Sequence, residues 1–289
     1  MAKKELSPKS INALVEEVLA IEAEQAQEAG KLGFMCRAMV QASLPSRKVD
    51  GIEFTRRNGN FTLTLLAPSR VGLPYGTVPR LLLTWLATEA VKTRERELVL
   101  GDSLSGFMRE LGMTPTGGRW GTIPRLKDQT RRLFAASITG IYEDEGQTAM
   151  LSQKIADHAN IWWDTGHPGQ AGLWQSTVKL SESFFNEVIG HPVPIDLRAI
   201  QALKRSPLAL DLYTWMSFRF SYLKQSTVIP WAALQMQFGA DYKLTRQFKA
   251  ALIEHLKSVA VVYPEARFDI QDKGLMLIPS PPHIAKKSA

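Results

Sequence analysis

Two basic stretches carry the residue types best suited to chemistry in this sequence, and that chemistry is anion recognition. Arg119–Ile138 holds Arg119, Arg125, Lys127, Arg131 and Arg132 against a lone acid, Asp128. At helical spacing Arg125, Asp128, Gln129 and Arg132 share a face, while Leu126, Leu133 and Phe134 can turn to a core. Further on, Lys243, Arg246, Gln247 and Lys249 stand at the front of a second helix, whose apolar stripe is Leu244, Phe248, Leu252, Ile253 and Leu256. Arginine and glutamine side chains match the guanine and adenine edges, and lysines hold phosphates. One such helix alone is usually a solvated charged face. Two in matching contexts, on a chain of net charge +7, point to DNA.

Other chemistries find little support. Thr114–Thr122, TPTGGRWGT, is a glycine-rich loop before a helix. It lacks the Gly-Lys-Ser/Thr of a nucleotide-binding loop and the glycine spacing of a dinucleotide fingerprint. It reads as a DNA-backbone contact with Arg119 as its cation, or as a plain surface loop. The five histidines, His158, His167, His191, His255 and His283, include no His-x-His pair and no metalloprotease spacing. His158, Asp164 and His167 are better read as ordinary polar loop residues than as metal ligands. No Gly-x-Ser-x-Gly elbow occurs. The single cysteine, Cys36, excludes an internal disulfide and reads as a packed thiol. Trp162, Trp163 and Trp174 could stack on bases, but aromatics in strand-like segments are more often core. The expectation is a protein with no catalytic residues, no metal and no cofactor, not an enzyme.

These side chains need elements to position them. The chain has 289 residues, with 45% hydrophobic and 22% charged residues, enough for folded cores. Residues 1–30 hold three lysines and six glutamates, so the basic excess belongs to the body. Ser10–Ala29 reads as an amphipathic helix whose stripe, from Ile11 to Leu19, packs on the body or on a second copy. No secretory signal is visible, and Pro207–Tyr222 is too short and too charged to span a bilayer. The expected location is cytoplasmic, with no membrane partner.

From residue 51 the pattern runs twice. Arg56–Asn60 is expected as a turn, followed by a strand over Phe61–Leu66. The first series is a helix (Val78–Val91), a short strand (Glu97–Leu100), a short helix (Leu104–Leu111), the glycine-rich loop, the basic helix (Ile123–Ile138) and strands beginning at Thr139. His191–Pro194 reads as a linker. The second series is a helix over Leu197–Lys204 capped by Asp196, a core helix (Pro207–Tyr222), a strand (Thr227–Ile229), a short helix (Trp231–Phe238), the basic helix (Thr245–Val259) and a hairpin. That hairpin joins Val259–Tyr263 to Leu275–Ile278 through Asp272-Lys273-Gly274. Thr84-Trp85 corresponds to Thr214-Trp215, and Gly112 to Gly239. The order of elements is that of a winged helix. The expected fold class is α+β, mainly α. An N-terminal helical extension (1–50) precedes two tandem winged-helix domains (51–190 and 191–280), with a flexible tail at 281–289.

The sequence also resembles plasmid-encoded RepA-type replication initiators. In the first half the resemblance rests on Pro74-Tyr75-Gly76-Thr77-Val78-Pro79-Arg80, Gly121-Thr122-Ile123 and Arg131-Arg132-Leu133-Phe134. In the second it rests on Pro194-Ile195-Asp196, the run Leu203–Trp215, Ile229-Pro230-Trp231, Gln237-Phe238-Gly239 and Tyr263-Pro264. It implies a sequence-specific binder of double-stranded DNA at repeated sites in a plasmid origin. Such a protein promotes origin opening and recruits a host replication initiator and helicase, and it can form homodimers. Mapped here, Lys243, Arg246, Gln247 and Lys249 would be the principal readers and Arg119, Arg125, Lys127, Arg131 and Arg132 the second contact. A transcriptional repressor using the same winged-helix unit is the alternative reading.

Overall fold

The computed structural model describes residues 31–161, 176–239 and 242–284. The expected helix over 10–29, together with Trp162, Trp163, Asp164, His167 and Trp174, lies outside the described residues. The chain divides into two units. One, here the N-terminal unit, comprises described residues 34–161, 176–193 and 236–239. The other, the C-terminal unit, comprises 31–33, 194–235 and 242–284. Both mix helices with antiparallel sheet, so the fold carries more strand than the expected mainly helical chain.

In chain order, β1 (Leu32–Cys36) runs across the division between the units, and a short α1 (Arg37–Gln41) follows in the N-terminal unit. Strands β2 (Glu53–Asn58) and β3 (Phe61–Leu66) form a hairpin in which Asn58 pairs with Phe61. The two-residue turn is Gly59-Asn60, and Gly59 takes the positive φ of 58° that such a turn needs. The turn expected over 56–60 is therefore shorter, because Arg56 and Arg57 are already laddered to Leu63 and Thr62. Alternation in Phe61–Leu66 buries Leu63 and Leu65 on one face.

The core helix α2 (Thr77–Thr93) is buried on almost every side, with Arg80, Thr84 and Thr88 buried among its apolar residues. It leads to β4 (Glu97–Val99), the short α3 (Leu104–Glu110) and the basic α4 (Thr122–Ala135). α4 stops at Ala135, earlier than the expected Ile138, because Ser137 and Ile138 enter β5 (Ser137–Asp144), which pairs with β3. A hairpin follows to β6 (Gln147–Lys154), giving a four-stranded sheet of order β2-β3-β5-β6. Then come β7 (Ala156–Asn160), β8 (Thr177–Leu180) and α5 (Glu182–Gly190), which packs on α2. β4, β8 and β7 form a second sheet in that order. Arg96 braces it, donating from Nη2 to Asp157 Oδ2 at 2.8 Å and to the Leu180 carbonyl at 3.0 Å.

The expected linker at 191–194 is instead β9 (Pro192–Asp196). In the C-terminal unit Asp196 caps α6 (Leu197–Leu203), accepting from Arg198 N at 2.7 Å. Ser206 caps the core helix α7 (Pro207–Phe220), which has Pro207 in its first turn. β10 (Thr227–Pro230), α8 (Trp231–Phe238), α9 (Thr245–Val262), β11 (Phe268–Ile270) and β12 (Gly274–Leu277) complete the order. α9 packs on α7 and α6 through Phe248, Leu252, Leu256, Val259 and Val262. That stripe carries the helix through Val259–Val262, where a strand was expected from the run of valines. The hairpin partner of β12 is Phe268–Ile270 instead. Residues 281–284 do not trail from the unit. Tyr213 Oη lies 2.7 Å from His283 Nδ1, and Tyr263 donates to the Pro281 carbonyl at 2.5 Å.

Each unit contains the series core helix, strand, short helix, basic helix and two further strands. The sheet β10-β12-β11 repeats the arrangement β4-β8-β7: in each, the strand before the short helix pairs with the last strand, and that strand pairs with the one before it. The N-terminal copy differs by a β5–β6 hairpin inserted after its basic helix.

Candidate nucleic-acid interface

Each basic helix is held by its buried side and offers the other. In α9 the stripe from Phe248 to Val262 faces inward. Lys243, Arg246 and Gln247 are exposed at its start. Among the described residues, Lys243 and Arg246 make no ion pair. Lys249 is half-buried, with Nζ 4.8 Å from the Trp231 ring centroid. The same indole donates from Nε1 to the carbonyls of Gln271 and Asp272, at 3.0 Å each. Trp231 thus fastens the β11–β12 turn beside the front of α9, and Lys273 in that turn is exposed. The start of α9 is tied to α8 by Thr245 Oγ1 donating to Gln235 Oε1 at 2.6 Å. Gln235 Nε2 in turn donates to the Tyr242 carbonyl at 2.9 Å. These bonds fix where Lys243, Arg246 and Gln247 start, so little side-chain ordering beyond their own is needed for contact.

In α4 the cations divide. Arg125 and Lys127 are exposed and make no ion pair among the described residues. Arg131 is exposed, with Nη2 3.9 Å from Asp128 Oδ1. Arg132 is tucked under the helix. Its Nε donates to Asp128 Oδ2 at 2.8 Å, its Nη1 to the Leu73 carbonyl at 3.4 Å, and its guanidinium lies 5.6 Å from the Tyr75 ring centroid. Gln129, expected on the outer face, is buried and accepts from Tyr75 N at 2.8 Å. The shared face of Arg125, Asp128, Gln129 and Arg132 is therefore split: Arg125 faces out, and Gln129 and Arg132 anchor α4 to the segment around Tyr75.

The glycine-rich loop is neither open nor shapeless. Thr116 and Thr122 clasp it, each backbone N–H donating to the other's Oγ1 at 2.9 Å, and Thr122 Oγ1 donates to the Thr114 carbonyl at 2.6 Å. Gly118 has φ 79°, and a Cβ on Gly121 would meet the Thr116 and Gly117 carbonyl oxygens at 2.3 Å. The Ile123 N–H is already used by Thr116 O, so the loop does not present an open anion cradle there. What it does present is Arg119 and Trp120. Trp120 is 83% exposed, and the Arg119 guanidinium lies 5.1 Å from its ring centroid. Reading the sequence for cations singled out Arg119 and passed over its neighbour. A tryptophan between Arg and Gly in a polar loop was the available signal.

Several motif residues are structural. Arg80 is buried and donates to the carbonyls of Leu44, Pro45 and Gly76 at 2.7, 3.2 and 2.6 Å. Cys36 is buried, which pushes its thiol pKa up to about 11, with Glu187 adding to the rise. Among the described residues no group of three or more His, Cys, Asp or Glu side chains is placed to hold a metal ion. No helix among them is long and apolar enough to cross a membrane.

Comparison with known proteins follows the same line. Residues 73–232 match the model of a family described as plasmid encoded RepA protein. Among curated proteins none matches the sequence. The fold is similar to two crystal structures of domains 2 and 3 of RctB. One, of selenomethionine derivatives, has a TM-score of 0.52 at 12% identity, over 84% of this chain and 98% of that one. The other has a TM-score of 0.50 at 11% identity, over 83% and 94%. At that identity the likeness is one of fold.

Proposed function

The chain belongs to the plasmid-encoded RepA family of replication initiators, and from that premise we propose that it binds double-stranded DNA at repeated origin sites through two winged-helix units. The observation that carries this reading is the repeated sheet order, β4-β8-β7 and β10-β12-β11, each in a unit whose basic helix packs on the core helix and keeps cations exposed. In a winged helix the short helix crosses the backbone, the next helix enters the major groove and the hairpin meets phosphate. Here α3 and α8 are the crossing helices and α4 and α9 the groove helices. Arg246 and Gln247 read base edges, and Lys243 and Lys249 hold phosphates beside them. Arg119, Arg125, Lys127 and Arg131 make the second contact. Arg132 serves that surface from beneath, offsetting the charge of Asp128.

No bond to DNA is made or broken in this mechanism. Phosphate neutralisation supplies much of the affinity and makes it fall steeply with salt. Distortion of A·T-rich DNA next to the bound sites then lowers the cost of strand separation, where a host initiator and helicase load. The test is fluorescence anisotropy with DNA flanking the protein's own gene, against a scrambled duplex, across a salt series. Specific binding should weaken by about tenfold or more in Arg246→Ala, and the salt slope should fall by about one in Lys243→Ala. Equal weak binding to both duplexes, unchanged by either substitution, would sink the reading.

A further inference from the structure

Beyond the groove helices, the Arg119–Trp120 tip has the chemistry of a second kind of DNA contact. A tryptophan ring 83% exposed to water is unusual, because burial of apolar surface is what such a ring ordinarily gains. The loop does not need the ring for its own shape. That shape is set by the Thr116–Thr122 clasp, by the Gly121 N–H donating to the Gly118 carbonyl at 3.0 Å, and by the close approach of Gly121 to two carbonyls. Trp120 is therefore a rigidly based π-surface left largely open to solvent. One neighbour is a cation, Arg119, 5.1 Å from the ring centroid. Within the first turn of the helix that follows stand Arg125 and, beyond it, Lys127, both exposed. The tip thus sets a flat aromatic face among charges that attract a phosphate backbone.

A base inside a duplex has both faces covered by its stacked neighbours and offers a protruding indole nothing but its edge. An unpaired base offers a free face, and stacking on an aromatic side chain is tolerant of which base it is. We propose that Trp120, with Arg119 held beside it, is a stacking site for an unpaired nucleobase of DNA, engaged where the strands have separated. The proposal rests on the DNA-binding reading above and adds to it a substrate form, open rather than paired DNA, and a residue that distinguishes the two.

The experiment uses the full-length protein and three probes of the same gene-flanking sequence. These are a fully paired duplex, the duplex with a central bubble of unpaired thymines, and that bubble with 2-aminopurine at one unpaired position. Wild type should bind the bubble about tenfold more tightly than the paired duplex and quench 2-aminopurine. Trp120→Ala should lose that preference and the quenching, keep its paired-duplex affinity and melt at the wild-type temperature. Trp120→Phe should keep part of both. Four outcomes overturn the proposal: Trp120→Ala keeps the preference, Trp120→Ala weakens both probes equally, wild type binds paired DNA specifically but shows no preference for the bubble, or the variant melts lower and Trp120→Phe restores stability without restoring the preference. In all four the duplex-binding reading stands. Absence of any wild-type DNA binding would overturn both.

Discussion

The two units place a basic helix in the same order of elements but treat its charges differently. In the C-terminal unit Lys243 and Arg246 project from the start of α9 with no ion pair among the described residues. The β11–β12 turn is fastened nearby through Trp231. In the N-terminal unit Asp128 sits in mid-helix, Arg132 is committed to it and Arg131 is within 3.9 Å. The neighbouring loop is stiffened and tipped with Arg119 and Trp120. On the proposed function this contrast becomes a division of labour, in which α9 would read paired DNA while α4 and its loop would add charge and an aromatic face.

Paired substitutions put most strain on that comparison. Lys243→Ala/Arg246→Ala should cost specific duplex binding about a hundredfold, since a bidentate base contact is worth roughly 1–3 kcal/mol and a phosphate contact adds to it. Arg125→Ala/Lys127→Ala should cost less, about tenfold, and should weaken specific and scrambled DNA alike, because phosphate contacts carry no sequence information. Anisotropy titrations at one fixed salt concentration measure both. Equal losses of specificity from the two pairs would erase the division of labour.

Acid should separate the units next. His283 is stacked on Tyr263 at 4.6 Å, with Nδ1 2.7 Å from Tyr213 Oη, which already accepts from Asp196 N at 2.8 Å. A neutral imidazole with Nδ1 unprotonated can accept from the Tyr213 hydroxyl in this arrangement. Burial lowers the His283 pKa, while Asp196 and Glu265 act to raise it and Arg198 to lower it. Burial also lowers that of His255. The unfolded chain, where histidine titrates near ~6.5, then takes up protons more readily than the folded one. Stability is complete above that pH and falls as pH drops below it toward the folded values. His158 and His191, the described histidines of the N-terminal unit, are exposed, so among the described residues that unit has no buried imidazole to charge. Melting followed from pH 7.5 down to pH 5 should show the C-terminal unit weakening first. His283→Ala should cost about 1–3 kcal/mol at neutral pH and flatten the pH dependence. A pH profile unchanged by the substitution would remove His283 as its source.

How much of this was legible in the sequence depends on what each segment packs against. Helices α2, α7, α8 and the start of α9 were legible because their apolar spacing answers to a core. The Asp196 cap and the strand Phe61–Leu66 were too. β6 was not, because QTAMLSQK is exposed at seven of its eight positions and so lacks the alternation that marks a half-buried strand. α5 carries its signal in Ser181, whose Oγ accepts from Phe184 N at 3.2 Å, ahead of Phe184 and Val188 on one face. Val259–Val262 misled because β-branched residues favour strands until a buried stripe overrides them. At the site, charge located both helices, but it could not show that Arg132 and Gln129 turn inward. That depends on Tyr75, more than fifty positions away. The motifs behind the family resemblance land mostly on scaffold, as with Arg80, Asp196 and Trp231, and less on the cations proposed to touch DNA.

The smallest expected effect concerns how each core helix begins. α7 starts at Ser206, whose Oγ accepts from Ala209 N at 3.2 Å and lies 3.4 Å from His255 Nδ1. α2 starts at Gly76, with φ 81° and no side-chain cap. The Gly76 carbonyl instead accepts from Arg80 Nη1 at 2.6 Å. A side-chain cap replaced by alanine typically costs ~1 kcal/mol, so Ser206→Ala should lower the stability of the C-terminal unit by that amount and Ser206→Thr should recover most of it. Thr77→Ala, at the first position of α2, should stay within ~0.5 kcal/mol, because no backbone donor depends on that hydroxyl. Chemical denaturation of the three variants measures the difference. If Thr77→Ala costs as much as Ser206→Ala, the first turn of α2 relies on a side chain after all. The two core helices would then be stabilised alike despite their different starts, and the contrast between the units would be confined to their outer faces.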